Sequence, residues 1–370
     1  MRRTLTAALV LVMLTATTIA RADGPALGAP QPPAPKVGAA SWILYDATYG
    51  VELASLKPDA RRPMASTTKI MTALVVREHT KLDDWVTVSK RAAAIGEAEI
   101  GLEQGERWTI RQLLSAMAVR SANDAAIAVA EHIGGSVEGF ANFMNDKAAD
   151  MGLNNTHFVN PHGLDSPKHY SSARDLLKMG LAVLDDPYLA RAFATRSVTL
   201  PPNGKGQARV ATATNHLLTD YEGAIGIKTG FTFKAALVLV AAAERDGRRL
   251  VAVVMGSRGT GGHFKDATKL LNYGFNDFSV IPLIVEGEIY ATTRVPEGTG
   301  DLRATATVET LAHLAGAGLL DLEVKEGQPT VQIGDRSQVG LTGPDPPPLP
   351  SVEDALTWVD RYWNWLVGRT

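Results

Sequence analysis

A serine and a lysine three residues apart form the first pair in this sequence that could do chemistry. Ser66 and Lys69 lie in the stretch Ala-Ser-Thr-Thr-Lys-Ile-Met-Thr, which continues into an apolar run. If Ser66 caps a helix, Lys69 lies on the same side of that helix, because positions i and i+3 are neighbours. A lysine amine in a dry site has a lowered pKa and can accept the serine proton, which makes the hydroxyl a nucleophile. Taken alone, the pattern is more often a helix cap followed by a surface lysine.

Two later motifs favour the catalytic interpretation of Ser66. Ser-Ala-Asn at residues 121–123 and Lys-Thr-Gly at residues 228–230 follow it in order within one domain-sized segment. Serine β-lactamases and penicillin-binding proteins carry a trio of this kind, with the serine as the nucleophile. Ser121 or Asn123 could also cap the helix that follows, and this structural role is compatible with the catalytic one.

The composition argues against several other classes of function. The chain has 370 residues, of which 45% are apolar and 21% charged, and these values are typical of one large or two medium globular domains. A net charge of −2 gives no support for nucleic-acid binding, which requires a basic surface. The chain has no cysteine, which excludes disulfides, thiolate metal sites and a cysteine nucleophile.

Two other groups of polar residues are given no function. The histidines between residues 157 and 169 match no standard zinc spacing, and prolines and glycine interrupt that segment, so we predict neither a metal nor a cofactor. Glu138 and Asn142 superficially resemble the residues that position water in some β-lactamases. They fall inside an amphipathic helix, where we predict that they face solvent.

The N-terminus predicts export. Arg2 and Arg3 precede an apolar run, and a small-x-small site ends at Ala22, so residues 1–22 are predicted to be a cleaved signal peptide. The run is shorter than the ~20 residues of a membrane-spanning helix, although an uncleaved anchor is the alternative. Residues 23–37 are rich in proline and form a predicted extended leader.

The pattern of residues 38–279 predicts one α+β domain. Alternating apolar residues predict two strands before Ser66 and a hairpin through Asp246-Gly247, which together favour an antiparallel sheet. Helical periodicity predicts flanking helices and a helical subdomain, with helices near residues 111–119, 124–133, 137–151, 172–184 and 263–278.

The remaining chain predicts three further segments. Residues 280–343 predict a small β-rich domain, with short strand-like pieces at 282–285, 289–295, 302–308 and 330–333 between glycine turns. Residues 344–350 are a Pro-rich spacer. Residues 351–369 form an amphipathic helix with tryptophans at 358, 363 and 365. Such a helix suits a membrane surface, and packing on the β-rich domain or on a partner subunit is the alternative.

Several stretches of the chain resemble the D-alanyl-D-alanine carboxypeptidases, which are low-molecular-mass penicillin-binding proteins. The resemblance covers about residues 39–278 and rests on five stretches, at residues 63–72, 121–125, 155–165, 171–175 and 226–230. It implies a β-lactamase/transpeptidase-like fold and a serine enzyme that removes the terminal D-Ala from the peptidoglycan pentapeptide, with β-lactams as inhibitors. It also implies a location outside the cytoplasm, peripheral on the outer face of the cytoplasmic membrane.

The same resemblance implies the roles of five catalytic residues. Ser66 would attack the penultimate D-Ala carbonyl, and Lys69 would act as the general base. Ser121 would relay the proton to the leaving amine, Asn123 would hold the substrate amide, and Lys228 would keep the proton network polarised.

Four residues are implied in substrate binding. Thr229 would help to bind the terminal carboxylate, and Gly230 and Phe231 follow it on the same strand. The backbone N–H groups of Ser66 and Phe231 would form the oxyanion hole. His263 stands where many relatives have a carboxylate-binding arginine. It is a shorter and only partly charged substitute, and the nearby Arg258 is a candidate to compensate for it. The stretch 233–236 also has alanine where the family often has glycine.

Three alternatives to the carboxypeptidase remain open at this stage. A β-lactamase shares the three motifs but needs a deacylation device, which the sequence does not display. A D,D-endopeptidase differs only in accepting a longer leaving group. A non-catalytic cell-wall binding module would keep the fold without the reaction, which the intact catalytic residues disfavour.

Overall fold

The structure is a computed structural model that describes residues 32–278 in full and the backbone of four strands beyond them. The predicted signal peptide, most of the leader, the Pro-rich spacer and the C-terminal amphipathic helix lie outside the described residues.

The described chain alternates between short strands and helices. Its helices are α1 Thr68–His79, α2 Lys90–Ala93, α3 Ile110–Arg120, α4 Asn123–Gly134, α5 Val137–Asp150, α6 Ala173–Asp185, α7 Pro187–Phe193, α8 Leu217–Asp220 and α9 Gly262–Asp277. Its strands are β1 Ser41–Asp46, β2 Val51–Leu56, β3 Trp85–Thr87, β4 Arg107–Thr109, β5 Ser197–Leu200, β6 Arg209–Thr212, β7 Ala224–Thr232, β8 Ala236–Arg245, β9 Arg248–Ser257, β10 Ile289–Arg294, β11 Asp301–Thr310, β12 Asp321–Lys325 and β13 Gln328–Gly334. A 3-10 turn at Ala65–Thr67, which we name the serine turn, leads directly into α1.

Five strands form the central sheet in the order β2-β1-β9-β8-β7. The pairings β1–β9, β9–β8 and β8–β7 are antiparallel. The predicted hairpin is confirmed, because Asp246 and Gly247 join β8 to β9 with φ values of 49° and 77°. Two consecutive left-handed residues are what a two-residue type I′ hairpin requires. Strand β7, which carries the Lys-Thr-Gly motif, lies at one edge of this sheet.

Helices α6 and α9 cover opposite faces of the central sheet. A Cβ on Gly180 of α6 would lie 3.0 Å from Val240, and one on Gly274 of α9 would lie against Leu250. Val240 pairs with Val253, which is an odd number of residues from Leu250 along β9. Successive strand residues point to opposite faces, so the two contacts lie on opposite sides. This explains why the middle of β8 and most of β9 are continuously buried instead of alternating.

Helices α1 to α5, which follow β2, form the predicted helical subdomain, with α4 at its centre. Helix α4 packs on α1, α2, α3 and α5. Its residues from Asn123 to Ala130 are all buried. The predicted α+β fold, an antiparallel sheet flanked by helices, is therefore confirmed for this part of the chain.

One local prediction was wrong, and one structural alternative does not apply. Helix α1 begins at Thr68, so Ser66 does not cap it but lies in the serine turn before it. Helix α4 begins at Asn123, and its N-cap, Ala122, makes no side-chain capping bond. The capping role considered for Ser121 or Asn123 therefore does not apply.

The strands beyond residue 278 form a separate four-stranded sheet in the order β10-β11-β13-β12. The β11–β13 pairing is parallel and the other two are antiparallel. Three of these strands coincide with predicted ones, β12 was not predicted, and the predicted strand at 282–285 lies outside the described residues. The boundaries of the β-rich domain stay a prediction. Among the described residues, no helix has the length and apolar character needed to cross a membrane.

Candidate active site

Ser66 lies in the serine turn, where two glycines allow an unusually close approach of backbones. A Cβ on Gly230 of β7 would lie 2.8 Å from the Ser66 nitrogen and 3.2 Å from the Met64 carbonyl oxygen. On another side, Gly163 (φ +97°) would drive a Cβ into the Ala65 carbonyl group. Ala65 itself has φ 48°, a left-handed conformation that non-glycine residues rarely adopt. The segments that contain Gly163 and Gly230 therefore pack on both sides of the serine turn and hold its strained conformation, which presents Ser66.

Lys69 is fully buried, and its amine contacts three oxygen atoms. The Nζ atom lies 3.2 Å from Ser66 Oγ, 2.7 Å from Asn123 Oδ1 and 2.7 Å from the His162 carbonyl oxygen. Burial lowers the pKa of Lys69 well below its usual value, and the charge of Lys228 lowers it further, while nearby carboxylates oppose both effects. A neutral amine at this position can take the proton of Ser66.

Lys228 occupies the same face of β7 as Gly230, because side chains alternate along a strand. It is buried, and its Nζ donates a hydrogen bond to the Thr229 carbonyl oxygen at 3.0 Å. Burial lowers the pKa of Lys228 to about 7. The amine can therefore gain or lose a proton at neutral pH, as a group in a proton network must.

Ser121 ends α3 in a left-handed conformation with φ 67°. Its Oγ atom is buried and has no hydrogen-bond partner among the described residues. A buried hydroxyl without a partner is uncommon in folded proteins. This hydroxyl is therefore free to bond with a substrate atom or with a proton carrier.

The start of α4 fixes both Asn123 and the loop that faces it. The Asn123 N–H donates to the Ala98 carbonyl oxygen at 2.6 Å, while its side chain binds Lys69. The neighbouring Asp124 is buried and accepts the N–H groups of Ile100 (3.1 Å) and Leu102 (3.0 Å). Burial raises the pKa of Asp124. Its carboxylate ties residues 98–102 to the helix that positions Asn123.

Of the residues on β7 that are predicted to bind substrate, Thr229 and Gly230 are buried and Phe231 is exposed. The Thr229 hydroxyl lies 2.8 Å from the Thr214 hydroxyl, and the two form one polar pair beside β7. Phe231, two residues later on the same strand, is 58% exposed. The structure thus places Thr229, Gly230 and Phe231 in succession along an edge strand whose Gly230 lies against Ser66.

His263 lies in the first turn of α9, and its environment keeps it uncharged. Its side chain is buried against the Phe264 ring (3.9 Å between centroids), and its Nδ1 has no partner among the described residues. Burial, followed by repulsion from His216, lowers the pKa of His263 to about 4. The imidazole is thus neutral near pH 7 rather than partly charged. Arg258, considered as a compensating residue, is exposed.

Comparison with known proteins settles the family. A family model described as D-alanyl-D-alanine carboxypeptidase matches residues 28–259. The chain belongs to the D-alanyl-D-alanine carboxypeptidase family. It is similar to the carboxypeptidase DacF of Bacillus subtilis, with 34% identity over 76% of this chain and 73% of the relative. It is also similar to DacA of Escherichia coli, with 35% identity over 85% of this chain and 78% of the relative.

Solved structures agree with this assignment. Penicillin binding protein 6B from Escherichia coli matches with a TM-score of 0.63 and 35% identity, covering 68% of this chain and 82% of its own. The Streptomyces K15 DD-transpeptidase matches with a TM-score of 0.62 and 34% identity, covering 66% of this chain and 99% of its own. The chain is thus a serine-type D-Ala-D-Ala carboxypeptidase with the α+β fold of penicillin-binding proteins.

The histidines that the sequence left without a function support the carboxypeptidase site structurally. His169 Nδ1 accepts the Val159 N–H at 3.1 Å, so its Nε2 carries the proton and donates to Thr68 Oγ1 at 2.8 Å. Thr68 in turn donates to the Ala65 carbonyl oxygen at 2.8 Å. This chain of bonds ends on the strained residue that precedes Ser66.

Sequence reasoning missed this support, and it also missed the part that His162 plays. The His162 carbonyl oxygen accepts a bond from Lys69, and its Nδ1 accepts the Leu164 N–H at 3.1 Å. Burial lowers the pKa of His162 to about 3 and that of His169 to about 4, so both are neutral. Within the described residues, no cluster of histidines and carboxylates is arranged to hold a metal ion. The position of His162 within one of the family-like stretches was its only signal in the sequence, and His169 lies between two of those stretches.

Proposed function

We propose that this carboxypeptidase removes the terminal D-Ala from peptidoglycan stem pentapeptides through an acyl-enzyme on Ser66. The observation that carries the proposal is the position of the buried Lys69 amine, which contacts both Ser66 Oγ and Asn123 Oδ1. A base with a lowered pKa, a hydroxyl within hydrogen-bond reach and an amide that orients the base are the parts that acyl transfer needs.

In the acylation step, Ser66 Oγ attacks the carbonyl carbon of the penultimate D-Ala while its proton passes to Lys69. The backbone N–H groups of Ser66 and Phe231 stabilise the oxyanion. Ser121 then relays this proton from Lys69 to the nitrogen of the leaving D-Ala, and the peptide bond breaks while the ester on Ser66 remains. The unpartnered Ser121 hydroxyl and the pKa of about 7 at Lys228 support this relay.

In the second step, water hydrolyses the ester and restores the Ser66 hydroxyl. A β-lactam acylates the same serine and leaves slowly. The exposure of Glu138 and Asn142 supports this slow release. Both residues face solvent on α5, as predicted, and Glu138 is bonded to Arg91 at 3.1 Å. Neither residue is placed to activate a water at Ser66, as a β-lactamase would require.

The test is D-Ala release from an N-acetylated Lys-D-Ala-D-Ala peptide by the purified full chain. Ser66→Ala should abolish release, whereas Ser115→Ala should retain it, because the Ser115 hydroxyl bonds within α3 to the Arg111 carbonyl oxygen. A folded parent chain that binds penicillin but releases no D-Ala would favour an endopeptidase with a longer substrate. Rapid turnover of penicillin would favour a β-lactamase, and the absence of any adduct would favour a binding module.

The proposal extends to where the enzyme works. The signal-like residues 1–22 support export, and the three tryptophans within residues 351–369 support attachment to the outer face of the cytoplasmic membrane. Deletion of residues 351–370 should move the exported protein from the membrane fraction to the soluble fraction. An unchanged distribution would indicate that the segment packs on protein instead.

A further inference from the structure

Two phenylalanines stand exposed at the end of β7, Phe231 within the strand and Phe233 one residue beyond it. Phe231 is 58% exposed and Phe233 is 97% exposed, and their rings meet edge to face with centroids 5.9 Å apart. We name them the aromatic pair. Large apolar side chains that remain in water next to a reactive serine suit the binding of an apolar part of a ligand.

The turn that carries the aromatic pair is held rigidly. Asp165 accepts a hydrogen bond from Thr232 Oγ1 at 2.8 Å and a second from the Lys234 N–H at 3.3 Å. Thr232 Oγ1 also accepts the N–H of the buried Ala235 at 3.0 Å. Asp165 belongs to the same loop as His162, whose carbonyl oxygen binds Lys69. The backbone that carries the two rings is therefore tied to the loop that binds the catalytic base, which reduces the entropy lost when a ligand orders this turn.

The direction of β7 indicates which part of the substrate reaches the aromatic pair. The strand runs from Thr229, which is predicted to bind the terminal carboxylate, to Gly230, which lies against the Ser66 nitrogen. Phe231 follows about 3.3 Å further along, and Phe233 lies beyond it. A peptide with its carboxylate at Thr229 and its reacting carbonyl at Ser66 therefore extends its acyl side toward the two rings.

We propose that the aromatic pair is a specificity-determining subsite that binds aliphatic carbons of the stem peptide on the acyl side of the scissile bond. This inference rests on the proposed function, since it concerns the portion of the substrate that stays on Ser66 after D-Ala leaves. The subsite adds binding energy to long acyl chains and none to a substrate whose acyl side ends after one residue.

The experiment compares two substrates with the purified full chain, an N-acetylated stem pentapeptide and N-acetyl-D-Ala-D-Ala. Phe233→Ala should lower kcat/KM for the pentapeptide about fivefold, mainly through KM, and leave kcat/KM for the short substrate unchanged. Phe233→Tyr, which keeps the ring, should retain the parent preference. Because the Phe233 side chain is almost wholly in solvent, its removal should not change the unfolding temperature.

The matched control is Phe143→Ala, since Phe143 is a partly exposed aromatic that packs on His79 at the far end of α1. This variant should have the same kcat/KM as the parent for both substrates. The proposal would be overturned if Phe233→Ala lowered kcat/KM equally for both substrates or lowered it for neither. A parent chain inactive on both substrates would instead contradict the proposed function, and the aromatic-pair proposal would fail with it.

Discussion

The site has two regions that differ in how many contacts hold their side chains. We name the surroundings of Ser66 and Lys69 the serine side, and Phe231, Phe233 and His263 the substrate side. Around Ser66, the Lys69 amine contacts three oxygen atoms, and the turn is fixed by backbone contacts and a histidine-threonine chain of bonds. On the substrate side, the Phe231 and Phe233 rings are exposed, and His263 Nδ1 lacks a partner among the described residues.

This difference separates reaction from recognition. Proton transfer and nucleophilic attack tolerate little displacement of the reacting atoms, so the serine side is pre-organised before substrate binds. The substrate side keeps apolar groups in solvent, and unsatisfied polar atoms remain both there, at His263, and at Ser121, because the substrate itself can complete them. The comparison predicts that changes on the serine side cost both stability and acylation, whereas changes on the substrate side alter the preference for substrates.

The largest effect is expected from Gly163→Ala. The added Cβ would collide with the Ala65 carbonyl group, and φ +97° is unfavourable for alanine, so the serine turn must shift. The free energy of unfolding should fall by about 3 kcal/mol. The rate of penicillin acylation should fall at least about 100-fold, because the serine moves relative to its base. Urea unfolding and labelling with a fluorescent penicillin measure the two effects.

Gly206→Ala separates these causes. Gly206 also has positive φ, +75°, but a Cβ there would meet nothing within 4 Å. Only the backbone strain applies, so the free energy of unfolding should fall by about 1 kcal/mol, and the rate of penicillin acylation should not change. If both variants acylated at the parent rate, the serine turn would not need the close packing described here.

The second effect concerns stability at acid pH and depends on His169. Its pKa is lowered from 6.5 to about 4, so the unfolded chain binds more protons between these values. The stability that neutral His169 contributes is therefore full above pH 6.5 and is lost as pH falls through about 4. His169→Gln cannot titrate. Its stability deficit relative to the parent should shrink by about 1–3 kcal/mol between neutral pH and pH ~4.

Urea unfolding at several pH values measures this deficit. His132→Gln is the control because His132 is exposed on α4, and its difference from the parent should vary little with pH. Three nearby groups also act on His169: the charges of His157 and Lys69 lower its pKa and that of Asp165 raises it, and all three residues are unchanged in these variants. A deficit for His169→Gln that is constant across the pH range would mean that His169 is not the group that titrates.

A smaller effect should appear in the pH dependence of acylation. The positive charge of Lys228 helps to lower the pKa of Lys69, so its removal in Lys228→Met should raise that pKa. Acylation requires neutral Lys69, so the midpoint of its pH dependence should move to higher pH. The measurement is the second-order rate with a reactive penicillin, scaled to each variant's own plateau. The control, Lys234→Met, removes an exposed lysine and should leave the midpoint unchanged. A midpoint that moves to lower pH in Lys228→Met would contradict the conclusion that the charge of Lys228 lowers the pKa of Lys69.

The sequence predicted the parts of the site whose spacing is local. Ser66 and Lys69 lie within one turn of chain, and the Asp246-Gly247 pair specifies its hairpin without help from the rest of the fold. The order of the three motifs then indicated that Asn123 and Lys228 belong with Ser66. The structure brings Asn123 to the Lys69 amine and the strand of Lys228 to the serine turn.

The sequence did not predict the groups that hold these parts in place. Thr68 and His169 are 101 positions apart, and Lys69 and His162 are 93 apart. Such contacts leave no periodic pattern, since they exist only after the chain has folded. The serine turn itself was predicted as a helix cap because the left-handed conformation of Ala65 is imposed by its packing and is contrary to alanine's own preference.

The smallest effect is expected from Ala236→Gly, beside the aromatic pair. Ala236 starts β8 with φ 56°, which explains why the family often has glycine in this stretch. Relief of the left-handed strain should exceed the added entropy of the unfolded chain, so the free energy of unfolding should rise by about 0.5 kcal/mol. Ala224→Gly is the matched change at the start of β7, where φ is not positive, and it should lower stability by about 0.5–1 kcal/mol. Thermal unfolding measures whether each variant is more or less stable than the parent. A loss of stability in both variants would show that the turn stabilises alanine in its left-handed conformation.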